Sequence, residues 1–233
     1  MGKLIFVPTP VGNLEDITLR AIRILGEVDA IAAEDTRSAA FLLKKYGITT
    51  PLFPYHVKNE RRRADDIIRQ VSEGKTIAVI SESGTPGISD PGWTLARKAI
   101  ESGIPFEILP GPTAFVPALI LSGFPVNGFS FEGFLSRTGK GRRRRLRKIA
   151  EQPPRTTIFY VSPHRIADFI KDAAEILGDR NAVLCREISK VFEDVIRGRI
   201  SEIEQKIEGI KGELVFIIGP EQKKGEENDH EAM

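Results

Sequence analysis

The chain has 233 residues, 41% hydrophobic and 28% charged, with a formal net charge of +2; this suits one large or two small folded domains and is too weak a charge to imply a nucleic acid by itself. A single cysteine, Cys185, excludes an internal disulfide and fits a reducing compartment, and three scattered histidines make no zinc spacing. The apolar runs at 4–7 and 115–121, the latter broken by Pro117, are too short for a signal-peptide core or a spanning helix, and Phe6 stands where a myristoylation signal needs Ser or Thr, so the expectation is a soluble, cytoplasmic protein with no membrane partner.

In chain order, residues 4–7 read as a strand and 18–25 as a helix with one apolar face. A strand at 29–33 follows, then a helix at 38–46 stopped by Gly47. A helix at 64–73 closed by Gly74, a strand at 76–80, a helix at 93–102 and a strand at 106–109 complete the first half. Apolar strands alternating with helices predict a mostly parallel sheet covered on both faces. The second half offers strands at 129–134, 157–161, 182–187, 194–199 and 214–218, and helices at 142–151, 166–177 and 201–208. Only a short link separates the strands at 182–187 and 194–199, so they form an antiparallel hairpin and the second sheet is mixed. The predicted organisation is an N-terminal α/β domain over 1–116, a C-terminal α/β domain over 117–220, and a polar, disordered tail over 221–233.

Each strand of the first half runs into an unusual loop: PTPVGN after the first, AEDTR after the second, SESGTPGISDPG after the third and PGPTA after the fourth. In a parallel sheet these loops share the carboxyl edge, where open α/β sheets bind ligands. Their glycines let backbone amides approach a ligand closely. The dinucleotide pattern GxGxxG is absent, and Gly74-Lys75-Thr76 fails as a phosphate loop because Arg69 replaces its first glycine and a strand follows it. Glu34, Asp35, Glu82 and Asp90 make the loops acidic, with Arg37 the exception, which suits a ligand with hydroxyls or a positive centre better than a polyphosphate.

The loops PTPVGNLEDIT, AAEDTR, SESGTPGISDPG and PGPTA resemble those of the tetrapyrrole methylase superfamily. FEGF (131–134), YVSPHR (160–165) and CREISK (185–190) resemble, in order, second-domain motifs of its ribosomal RNA branch. The similarity spans about residues 4–219. One departure stands in the third loop, where Glu82-Ser83 replaces the family's usual Asp-Ala before Gly-Thr-Pro. The resemblance implies S-adenosylmethionine as cofactor, bound in a trough between the domains, and a homodimer. It also implies 2′-O-methylation of a cytidine ribose in the 16S ribosomal RNA of the small ribosomal subunit. By the same resemblance the cofactor is lined by Pro10, Ser81, Glu82, Ser83, Gly84, Thr85, Pro110, Gly111, Pro112, Thr113 and Ala114. Two other readings stand beside it: a tetrapyrrole ring C-methyltransferase, and a non-catalytic RNA-binding protein on the same fold.

For the chemistry, a weakly nucleophilic hydroxyl calls for an acceptor of its proton. Glu34, Asp35, Glu82, Asp90, His164 and Glu187 form the candidate pool, with Glu34, Asp35 and His164 favoured. Asp35 also reads as a helix cap paired with Arg37, Asp90 as the cap of the helix at 93, and Glu187 as a partner of Arg186 or Lys190. No metal is expected. The run KGRRRRLRK places Lys140, Arg142, Arg143, Arg144, Arg145 and Arg147 around a helix, a repulsion that an anionic polymer would relieve; with Arg37 and Arg165 they are the predicted RNA contacts. Gly139 and Gly141 are expected to make the start of this segment mobile. Trp93, Phe124, Phe129, Phe131 and Phe134 read as core.

Overall fold

The structure, a computed structural model, describes residues 2–221, so the predicted tail lies outside the described residues except for Glu221. These residues form two compact units, the first reaching Ala114 and the second starting at Phe115.

The first unit is built on five parallel strands: β1 (Leu4–Phe6), β2 (Ala30–Ala33), β3 (Leu52–Pro54), β4 (Ile77–Ile80) and β5 (Phe106–Ile108). Their order is β3-β2-β4-β1-β5. Alternation along the strands sends Ile5, Val7, Ile31, Ala33, Ala78 and Ile80 to one face, against α1 (Leu19–Glu27) and α2 (Thr36–Lys45). Leu4, Phe6, Ala32, Ile77 and Val79 face the other way, against α3 (Glu60–Ser72) and α4 (Trp93–Glu101). β3 leaves no periodic signal in the sequence, because a three-residue run ending in Pro54 has no alternation to read. Pro54 is tolerated there because β3 is an edge strand.

The second unit carries a mixed sheet of β6 (Ser130–Phe134), β7 (Thr157–Val161), β8 (Asn181–Arg186), β9 (Asp194–Arg199) and β10 (Leu214–Ile218), in the order β6-β7-β10-β8-β9. β6 and β7 are parallel, while β10 runs antiparallel to β7 and β8, and β8 to β9. Helices α6 (Gly139–Ala150), α7 (Ile166–Leu177) and α8 (Ile200–Glu204) bury one apolar core against Phe159, Leu184 and Phe216. The opposite face of β8 and β10 takes α5 (Phe115–Ser122). The sequence concealed α5, since a run apolar on all sides and containing Pro117 reads as a join. Pro117 lies in the helix's first turn, where its missing N–H costs no hydrogen bond.

Candidate functional site

In the first unit the order β2-β4-β1 places β4 between two strands whose connections leave for the α1/α2 face, while its own leaves for the α3/α4 face. Divergent connections open a crevice at the carboxyl ends of such strands. The loop after β1 and the loop after β4 meet over this crevice in a single antiparallel bridge: Thr9 and Gly84 exchange two backbone hydrogen bonds of 2.9 Å each. Gly84 has φ +76°, a region that costs a side-chain-bearing residue strain. The Ser81 hydroxyl donates to the carbonyls of Ser83 (3.2 Å) and Gly84 (3.3 Å), closing the turn on itself. Thr85 donates its hydroxyl to the Pro112 carbonyl at 3.0 Å, tying in the loop after β5. Gly111 lies so close to Pro8 that an added Cβ would sit 2.5 Å from the proline Cβ. Of the residues expected to line a cofactor, Pro10, Ser81, Gly84, Thr85, Gly111 and Pro112 thus lie in three interlocked loops at one sheet edge.

The loop after β2 joins this edge through Glu34, whose carboxylate accepts from the Glu82 backbone N–H at 3.4 Å. Burial raises the Glu34 pKa above the usual carboxylate value, and the nearby charges of Glu82 and Asp35 push the same way; the Glu82 N–H and His56 oppose the shift. Asp35 behaves differently. It caps α2, accepting from the N–H groups of Arg37 (2.8 Å) and Ser38 (3.4 Å), and it pairs with the Arg37 guanidinium at 2.9 Å. These bonds lower its pKa to about 2. Two adjacent carboxyls are therefore driven apart, Glu34 toward proton uptake and Asp35 toward permanent charge.

The rest of the loop after β4 is scaffold. The Gly87 N–H donates to the Pro91 carbonyl at 3.1 Å, and the Gly92 N–H to the Glu60 carboxylate at 3.1 Å. The Glu60 carboxylate also accepts from the Tyr55 hydroxyl. Gly92 itself is the N-cap of α4, two residues after Asp90, and brings no side-chain cap bond of its own. The Gly92 backbone takes φ +146° and packs on Gly87.

In the second unit His164 is exposed in a short 3-10 helix, Pro163–Arg165, that starts with proline. Glu187 is held at φ +51°, accepts from the Glu213 N–H at 2.7 Å and pairs with Lys190 at 3.0 Å. The Glu213 N–H is the main cause of its lowered pKa, and Arg186 instead donates to the Lys211 carbonyl.

The arginine run divides by direction. Arg142 is buried and bonds Asp172 on α7 at 2.6 Å. Arg143 bridges Asp172 (2.8 Å) and Glu175, and Arg145 bonds Glu132 on β6 at 2.6 Å. Lys140, Arg144 and Lys148 recur every four residues on the solvent face, with Arg147 beside them, and make no ion pair among the described residues. The mutual repulsion expected of the run is thus met on one side by carboxylates of α7 and β6, and Arg142 is a structural residue. At the start of the segment Thr138 caps the Gly141 N–H, and a Cβ on Gly141 would lie 2.4 Å from the Ser136 hydroxyl oxygen.

Trp93, Phe129 and Phe134 are 64%, 39% and 55% exposed, so the expectation that they are core is wrong; Arg97 covers the Trp93 ring at 5.6 Å. Among the described residues there is no helix long and apolar enough to cross a membrane, and no cluster of metal-ligating side chains.

Comparison with known proteins defines the class. Residues 3–204 match the family of tetrapyrrole (corrin/porphyrin) methylases. A uroporphyrin-III C-methyltransferase from Thermus thermophilus, solved with S-adenyl homocysteine, superposes with a TM-score of 0.67 at 21% identity, over 94% of this chain and 97% of that one. The ribosomal RNA small subunit methyltransferase I of Thermotoga maritima is 44% identical over 94% of this chain and 98% of its own. The protein of the same name from Halalkalibacterium halodurans is 46% identical over 93% of this chain and 75% of its own. The chain belongs to the ribosomal RNA small subunit methyltransferase I family, within the tetrapyrrole methylases.

Proposed function

We propose that this chain is an S-adenosylmethionine-dependent methyltransferase of small-subunit ribosomal RNA, and that its target is the 2′-hydroxyl of a cytidine in the 16S molecule. The observation that carries this reading is the Thr9–Gly84 bridge, which together with the Thr85–Pro112 bond holds three loops of backbone amides and carbonyls over the β1/β4 crevice, in a chain of this family. The close packing of Gly111 on Pro8 and the positive φ of Gly84 fit a ligand gripped by main chain rather than by bulky side chains. Pro10, Ser81, Glu82, Ser83, Gly84, Thr85 and the 110–114 loop would hold the cofactor. When bound, it supplies an electrophilic methyl group on a positively charged sulfur.

The chain's own residues have three tasks. Thr85 and Ser81 keep the loops rigid through their carbonyl bonds, so that the reacting groups are held in line. Glu34, partly buried and with a raised pKa, accepts the proton that a ribose hydroxyl loses on becoming an ether. Here Glu82, one methylene longer than the family's usual aspartate, offers its N–H to Glu34 and so orients the base. His164 is the second candidate for that proton. Arg144, Arg147 and Lys140 bind RNA phosphates, with Arg37 and Arg165 as further contacts. The working form is a homodimer in the cytoplasm.

The test is methyl transfer from labelled S-adenosylmethionine to unmethylated small subunits and to naked 16S RNA, read by nucleoside mass spectrometry. Formation of 2′-O-methylcytidine is expected. Cofactor binding without transfer to either RNA would overturn the assignment and turn attention to a tetrapyrrole ring.

A further inference from the structure

Midway along the parallel pair β6–β7, the register slips between Phe131 and Gly133, with Phe131 opposite Ile158 and Gly133 opposite Phe159. Glu132 is the extra residue of this bulge, and Gly133 takes φ +58° to allow it. The slip has a consequence for side-chain direction. In an unbroken strand Phe131 and Phe134 would point to opposite faces, since successive side chains alternate. After the bulge Phe134 lies opposite Tyr160, on the same sheet face as Phe131. The rings then form a row, Phe131 to Tyr160 at 5.0 Å and Tyr160 to Phe134 at 5.5 Å between centroids. Phe131 leans at 4.7 Å on Phe115, so the row is anchored inside the unit and open at Phe134, which is 55% exposed. Arg145 bonds Glu132 and fixes the bulge from α6.

The open ring borders a shallow depression that also holds Tyr160, Ser136, Ser162 and Arg165. The Arg165 guanidinium makes no ion pair among the described residues, and neither do Arg137, Lys140 and Arg144 on the adjoining segment. An aromatic face on a rigid support, next to uncompensated cations and hydroxyls, has the chemistry of a site for one nucleotide of a single strand. Core packing does not require a strand to bulge so that a phenylalanine meets water.

We propose that Phe134 is a stacking platform for an unpaired base of the RNA substrate, with Arg165 taking the phosphate beside that base. The inference rests on the ribosomal RNA reading above and adds a base-contacting residue to it. The stack tolerates any base, so it holds the strand in place and leaves the choice of nucleotide to other contacts.

The experiment measures binding of a fluorescent oligocytidine and of unmodified small subunits to the full chain, with cofactor affinity by calorimetry and melting temperature as controls. Phe134→Leu keeps the apolar volume but removes the ring face, and Phe134→Trp restores a face. We expect Phe134→Leu to weaken oligocytidine binding about tenfold and Phe134→Trp to keep it. Arg165→Ala is expected to weaken binding and lower its salt dependence by about one unit. Cofactor affinity and melting temperature stay at wild-type values in all three. Wild-type affinity in Phe134→Leu, beside a wild-type chain that binds RNA, overturns the platform and leaves the ribosomal reading intact. The same result accompanied by loss of self-association in sedimentation overturns it too, and places the ring between two copies. A wild-type chain with no affinity for either RNA overturns both readings together.

Discussion

Glu34 and Asp35 are neighbours in the chain with opposite electrostatic fates. Asp35 spends its charge on the first turn of α2 and on Arg37, so its cap contributes stability that is present above the usual aspartate range and is lost as pH falls toward about 2. Glu34 has a raised pKa, so its contribution has the reverse sign: it is present below the ordinary glutamate value and lost as pH rises through the raised one. We therefore expect Glu34→Gln to raise the melting temperature slightly at neutral pH and yet to depress methyl transfer. If Glu34 is the base, kcat/KM of the wild type falls on the acid side with an apparent pKa above 4.5, and Glu34→Gln loses that limb; an unchanged limb would transfer the role to another group. Gly84→Ala forces a side chain to φ +76° at the loop bridge, at a cost of about 1–2 kcal/mol. Denaturant unfolding checks that figure. Gly111→Ala displaces Pro8, and calorimetry should show weaker cofactor binding with little change in fold.

On the scale of single elements, α6 shows how one charge run serves two ends. Its inner arginine is desolvated and bonds the buried Asp172, which Arg143 also holds, so removing Arg142 leaves Asp172 with one of its two cationic partners. Arg142→Ala is expected to cost about 1.5–3 kcal/mol of stability, the loss of a charge-assisted hydrogen bond with Arg143 still in place, read by denaturant unfolding. Arg144→Ala should leave stability unchanged and reduce the salt dependence of RNA binding by about one unit. Equal loss of stability in both variants would contradict the division of labour. The sequence did reveal that the run was a helix and that it carried more charge than a solvent face needs. It could not reveal which arginines turn inward, because their partners lie elsewhere: Asp172 is 30 residues further on. Expecting Phe134 in the core failed for a related reason, since a bulge reverses the facing of every later residue in its strand and leaves no local mark beyond a glycine.

At the level of the whole molecule, the small net charge of +2 means that long-range attraction to RNA is weak and that the exposed stripe on α6 must supply it locally. The homodimer of the proposed function requires sedimentation equilibrium to give twice the 25.8 kDa of the chain, and a stable monomer would remove the dimer from that proposal. What the sequence determined unaided was local or periodic: apolar strands alternating with helices, turn chemistry after each strand of the first unit, and motifs in family order. Those signals lie within a few residues of one another, which is why they survive without a fold. Only the tertiary structure decided that β4 lies between β2 and β1, that Thr9 bridges to Gly84, that Glu34 is desolvated beside Glu82, and that half of the arginine run is spent on carboxylates. Each of these depends on groups distant in the chain being brought into contact, and the free energy of such contacts comes from packing and desolvation, which no short stretch of sequence contains.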